Sequence, residues 1–124
     1  MSRLFRYLMI KNGDVVAIET RNVLKSIVNE FEMFDYRDYL FDEDLDIYVF
    51  VKDLSYYDDN HTVYYYYGDD LIETFNGTVI FARMVENGFR TLSKNDIELI
   101  NNHLSRIDRN SFKLNYFANS VNNF

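Results

Sequence analysis

The sequence predicts an α+β domain: a mainly antiparallel sheet built from hairpins, with two helices packed on one face. Three observations predict it. Asn-Gly pairs punctuate the chain at Asn12-Gly13, Asn76-Gly77 and Asn87-Gly88. Apolar and β-branched runs flank those pairs. Two other segments place their apolar residues at helical spacing.

Residues 4–10 and 15–19 lie on either side of Asn12-Gly13. Asn-Gly tolerates positive φ at both central positions of a type I′ turn, so these segments read as a hairpin. In 23–31 the apolar residues Val23, Leu24, Ile27, Val28 and Phe31 share one helical face, with Asn22 as N-cap. Ile47-Tyr48-Val49-Phe50-Val51 is apolar throughout, as suits a strand covered on both faces. Thr62-Val63-Tyr64-Tyr65-Tyr66-Tyr67 is β-branched and aromatic, again strand-like. Leu71, Ile72 and Phe75 fit either a helical turn or a short strand. Asn76-Gly77 opens a strand over 78–85, and Asn87-Gly88 turns it towards 89–92. Ser93-Lys94-Asn95-Asp96 has the form of a capping box. Ile97, Ile100, Leu104 and Ile107 then step by three and four, which predicts a helix through 107. The tail holds Phe112, Leu114, Tyr116, Phe117, Val121 and Phe124, so it is expected to pack on the body or on a second copy.

Composition narrows the function. At 124 residues, two independent cores are not expected. There is no cysteine, which excludes disulfides, thiolate metal sites and a cysteine nucleophile. The only two histidines are His61, placed in a loop, and His103, placed on the last helix. Neither lies in a nucleophile motif, and the four glycines form no phosphate loop. No enzyme activity, cofactor or metal is expected. No apolar run approaches the roughly 20 residues of a bilayer span, and the N-terminus lacks a secretory pattern, so a cytoplasmic location is expected.

Charge is the strongest signal. The chain carries −7 overall, but residues 30–73 hold fourteen acidic groups against two basic ones. Residues 1–29 are net +3 and residues 74–124 net +2. A segment this acidic opposes direct nucleic-acid binding. Asp42, Asp44 and Asp46 fit the first, third and fifth positions of a calcium loop. Ile47 stands where glycine is needed and Asp53 where a bidentate glutamate is needed, so the loop fails as a calcium site. Two readings then compete: a solvated loop that aids solubility, or carboxylates laid out like phosphates and aimed at a basic groove. Eleven tyrosines sit partly among these acids, and tyrosine anchors protein interfaces well. The second reading assigns partner contacts to Asp35, Asp38, Asp42, Glu43, Asp44, Asp46, Asp58, Asp59, Asp69 and Asp70. Tyr56, Tyr57, Tyr65 and Tyr67 are its aromatic anchors.

Several short motifs resemble a family of small phage and mobile-element proteins of unknown function, often found beside antirestriction genes. They are Lys11-Asn12-Gly13, Ile18-Glu19, Glu32, Asn76-Gly77-Thr78-Val79-Ile80, Asn87-Gly88 and Leu92-Ser93, within residues 4–107. Asp58-Asp59-Asn60-His61 stands in place of the family's Asn-Glu-x-Gly turn. The resemblance implies a phage setting and transfers no residue role. With the acidic segment it suggests an inhibitor of anti-CRISPR or antirestriction type, acting on a host defence or nucleic-acid-processing protein. Two alternatives remain. One is a small anionic-ligand (nucleotide) binder or sponge using Arg83 and Arg90. The other is a structural homo-oligomer, such as a homodimer, joined through 112–124.

Overall fold

The computed structural model describes residues 3–33, 35–53, 61–86 and 88–116. Among the described residues, ten strands and two helices occur in the order β1 (Phe5–Lys11), β2 (Asp14–Thr20), α1 (Val23–Glu30), β3 (Tyr36–Asp42), β4 (Ile47–Lys52), β5 (Thr62–Tyr67), β6 (Asp70–Asn76), β7 (Val79–Val85), β8 (Gly88–Arg90), α2 (Lys94–Asn102), β9 (Leu104–Asp108) and β10 (Ser111–Asn115). They form two sheets. The larger has the order β2-β1-β7-β4-β3, with β8 also paired to β7. The smaller has the order β6-β5-β10-β9. Every pairing is antiparallel except β5 with β10.

Local chemistry explains the elements that the sequence announces. Asn12 and Gly13 have φ of 53° and 82°, and close the β1–β2 hairpin as a type I′ turn requires. A Cβ on Gly13 would meet the Arg109 carbonyl oxygen at 3.1 Å. We therefore expect Gly13→Ala to cost about 1–3 kcal/mol in a denaturant melt. The Asn22 side chain accepts from the Lys25 amide at 3.0 Å and caps α1. Ser93 and Asp96 complete the reciprocal capping box of α2.

Alternation divides the larger sheet into two faces. Tyr7, Met9, Phe50, Ile80 and Ala82 pack with Val23, Ile27 and Phe31 under α1. Leu8, Ile10, Ile47, Val49, Val51, Val79 and Phe81 point the other way. There they meet Val63, Tyr65, Phe75, Phe112 and Leu114 of the smaller sheet, with Leu92 and Ile100. The apolar run of β4 is thus covered on both sides, as its sequence requires.

Two expectations need correction. The helices do not share a face: α1 buries Val23 and Ile27 on one side of the larger sheet, and α2 buries Ile100 on the other. The last helix stops at Asn102, and Leu104–Asp108 is a strand paired with β10. Its Leu104 and Ile107 fit a helical stripe, but ladder pairing overrides that spacing. His61 lies outside any element just before β5, as the sequence places it, and is buried there. The described start of the tail packs on the body: Phe112 and Leu114 are buried in β10. That strand belongs to the fold itself, so it is not a free interface for a second copy. Phe117, Val121 and Phe124 lie outside the described residues. Among the described residues, no helix is long and apolar enough to cross a membrane.

Candidate functional site

Among the described residues, the acids of 30–73 do not all share one surface. Asp35 and Asp38 are exposed near the start of β3, whereas Asp42 to Asp46 turn the chain at its far end. At about 3.3 Å per residue, Asp35 lies roughly 23 Å and Asp38 roughly 13 Å along the strand from Asp42. Asp42 is also not available to a partner. It is 3% exposed, and its carboxylate accepts from the Asp44 amide at 2.9 Å and the Leu45 amide at 3.1 Å. It closes the β3–β4 turn, in which Asp46 takes a φ of 56°. Asp46 is half-buried, and its carbonyl accepts from the Met84 amide at 2.9 Å. Glu43 and Asp44 are exposed.

Tyr65 is the second correction. It is 1% exposed, packed at the centre of the inter-sheet core. Its hydroxyl donates to the Leu40 carbonyl at 2.9 Å, so it is a core residue and no partner anchor. Burial pushes that hydroxyl far above its ordinary value, and the Tyr116 and Tyr39 hydroxyls add to the effect. Tyr67 is partly exposed beside Gly68, Asp69 and Asp70, where β5 turns into β6. Tyr56, Tyr57, Asp58 and Asp59 lie outside the described residues.

The remaining acids gather by packing between the sheets. The Tyr65–Leu40 bond fixes the end of β3 over the end of β5. The Tyr39 hydroxyl donates to Glu73 at 3.1 Å in the same contact. Tyr116 stacks edge-on against Tyr65 at 5.9 Å and Tyr67 at 5.6 Å. Burial raises the Tyr116 hydroxyl, and the charge of Glu43 raises it further. Tyr116 thus links the two turns: it feels the charge of Glu43 in one, and its ring packs on Tyr67 beside the other. Beside them Leu71 and Ile72 are both 51% exposed on β6. A bulge opposite Tyr65 and Tyr66 leaves Ile72 out of the ladder, so two successive apolar side chains face outward. The ambiguous pattern of Leu71, Ile72 and Phe75 was the sequence trace of this feature.

Three basic residues are held in ion pairs. Arg6 pairs with Glu19 at 3.2 Å, Lys11 with Glu30 at 3.1 Å and Lys52 with Glu32 at 3.1 Å. Arg83 and Arg90 stand opposite each other in β7 and β8. The Nε of Arg83 is buried without a hydrogen-bond partner among the described residues.

A polar cleft that sequence reading missed lies past the carboxyl end of α1. It measures about 480 Å³ and is lined by Lys11, Asn12, Asn29, Glu30, Glu32, Lys52 and Thr78. Ile10, Val79 and Val51 form one row across β1, β7 and β4. One residue further along, Lys11, Thr78 and Lys52 make the next row and face the α1 side. The signal lay in strand register, which local sequence does not display.

No family model, curated protein or solved structure matches the chain. Among the described residues, no three His, Asp or Glu side chains are grouped to hold a metal ion.

Proposed function

We propose that the protein is an inhibitor that docks its acidic end on the basic groove of a nucleic-acid-handling protein. The docking surface is Glu43, Asp44, Asp69 and Asp70, with Tyr67 and Leu71 as anchors. The observation that carries this reading is the Tyr65–Leu40 hydrogen bond, which holds both acidic turns at one end of the molecule. Clustered carboxylates around partly exposed rings suit a positively charged protein surface, by complementary potential and by apolar contact. The sequence resemblance to phage proteins found beside antirestriction genes supports a host defence complex as the partner, met in the cytoplasm. Asp42 and Tyr65 hold this surface in shape from behind. Asp35 and Asp38 lie too far along β3 to share in it.

The test is a quadruple variant, E43Q/D44N/D69N/D70N. Parent and variant are used to capture proteins from a bacterial lysate at roughly 0.15 M salt, where weak surface attraction is screened. The expected result is a captured protein that binds DNA, is displaced from the parent by duplex DNA, and is held about tenfold or more weakly by the variant. Equal capture by both proteins, or captured proteins with no affinity for nucleic acid, overturns the reading. The variant removes only exposed charges, so its melting temperature should not fall.

A further inference from the structure

We propose that the cleft at the carboxyl end of α1 binds a small carboxylate or phosphate compound, received by Lys11, Thr78 and Lys52, with Glu32 as the internal carboxylate that the ligand displaces.

The receiving row is built into the sheet. Lys11 and Lys52 flank Thr78 on neighbouring strands, so their backbones stand about 10 Å apart with a hydroxyl between them. Lys52 is the unusual member: its side chain is only 6% exposed. A buried ammonium costs much unless it is paired and hydrogen-bonded. Its carboxylate partner is the reverse case, because the Glu32 side chain is 69% exposed. The lysine is fixed and the glutamate is free to leave.

The backbone shows what placing Glu32 there requires. Glu32 and Met33 both adopt left-handed conformations, with φ of 57° and 67°. Two successive non-glycine residues in that region are strained. The Glu32 amide donates to the Asn29 carbonyl at 3.0 Å, and the Met33 amide to the Val28 carbonyl at 3.0 Å. This turn carries the carboxylate back over the cleft. Lys11 is meanwhile bound to Glu30, so the cleft holds two cations and two carboxylates. An incoming anion can take the Glu32 position on Lys52 without leaving any buried charge unpaired. The same chemistry is already met by a carboxylate there, and phosphate offers the same acceptor oxygens.

A competing account needs no ligand: both lysines simply complement the carboxyl end of a helix. The two differ in their response to anions. Inorganic phosphate and succinate are titrated separately into the parent, Glu32→Gln and Lys52→Met, at constant ionic strength with chloride as control. Amide chemical shifts and melting temperature are followed together. We expect E32Q to bind at least one probe about tenfold more tightly than the parent, because its internal competitor has lost its charge. The shifts should centre on Asn12, Asn29 and Thr78, and the probe should raise the melting temperature of E32Q more than that of the parent. Response to phosphate alone assigns a phosphoryl ligand; response to succinate alone assigns a carboxylate. Lys52→Met should lose the response. If that variant does not fold, Thr78→Val replaces it, and is expected to weaken binding severalfold with the fold retained. No response of E32Q beyond chloride, or an equal response after removing Lys52 or the Thr78 hydroxyl, overturns the proposal.

Discussion

Raising the pH above 10 is expected to destabilise the protein steeply, through Tyr65 first. Its hydroxyl donates to the Leu40 carbonyl inside the core, so the fold requires the protonated form. Burial raises its pKa far above the ordinary value of about 10 that the unfolded chain retains. A raised folded value means the stabilisation is complete below pH 10 and is lost as the pH climbs towards the folded value. Tyr65 alone should remove on the order of 1 kcal/mol for each pH unit above 10. Tyr7, Tyr39 and Tyr116 are raised in the same direction, each chiefly by burial, and so add to the slope. Urea melts at pH 9, 11 and 12, with phenolate absorbance followed in parallel, measure the effect. Tyr65→Phe should cost about 1 kcal/mol at neutral pH, where Leu40 loses its donor, and should flatten the alkaline slope. A Tyr65 that ionises together with exposed tyrosines would show that the core contact is not held.

How much of this was legible in the sequence follows from the range of each interaction. The Asn12-Gly13 hairpin, the Asn22 cap and the Ser93–Asp96 box depend on neighbours within three residues, and the sequence displays them fully. The end of α2 does not work that way. Leu104 and Ile107 continue a helical stripe, yet Leu104 pairs with Leu114 in a strand ladder. Local spacing cannot weigh a distant partner. The parallel pairing of β5 with β10 joins Thr62 to Ser111, 49 residues later in the chain, and no short motif announces it. The candidate surface divides in the same manner. The excess of acids in 30–73 was plain, but their division between the two ends of β3 was not. Asp42 read as one acid among the four of 42–46, though an aspartate can accept from amides two and three residues ahead and so close a turn. Tyr65 and Tyr67 look alike in sequence, and only the packing of one sheet on the other makes the first core and the second surface. The cleft was hidden most completely, because Lys11, Thr78 and Lys52 meet only once three strands are in register.

Truncation of two apolar side chains should separate the fold from the docking surface. Phe81 lies on β7, which pairs with both β1 and β4, and it is fully buried. Its ring meets Phe41 edge-on at 5.7 Å, within the core that the two sheets share. Phe81→Ala should therefore cost about 3–5 kcal/mol, a large part of the 5–15 kcal/mol typical of a domain. Leu71 is as apolar but 51% exposed on β6, at the edge of the smaller sheet. Leu71→Ala should change stability by no more than about 0.5 kcal/mol. On the proposed function the order reverses for binding: Leu71→Ala should weaken capture of the basic partner several-fold, since a central apolar anchor ringed by charge carries much of an interface. Phe81→Ala, assayed at a temperature where it remains folded, should capture as the parent does. Urea melts read the first quantity and the capture assay the second. A Leu71→Ala protein that binds like the parent would leave charge alone to hold the partner. The acidic end would then act through long-range attraction, and its binding should weaken sharply as salt rises from 0.05 to roughly 0.5 M.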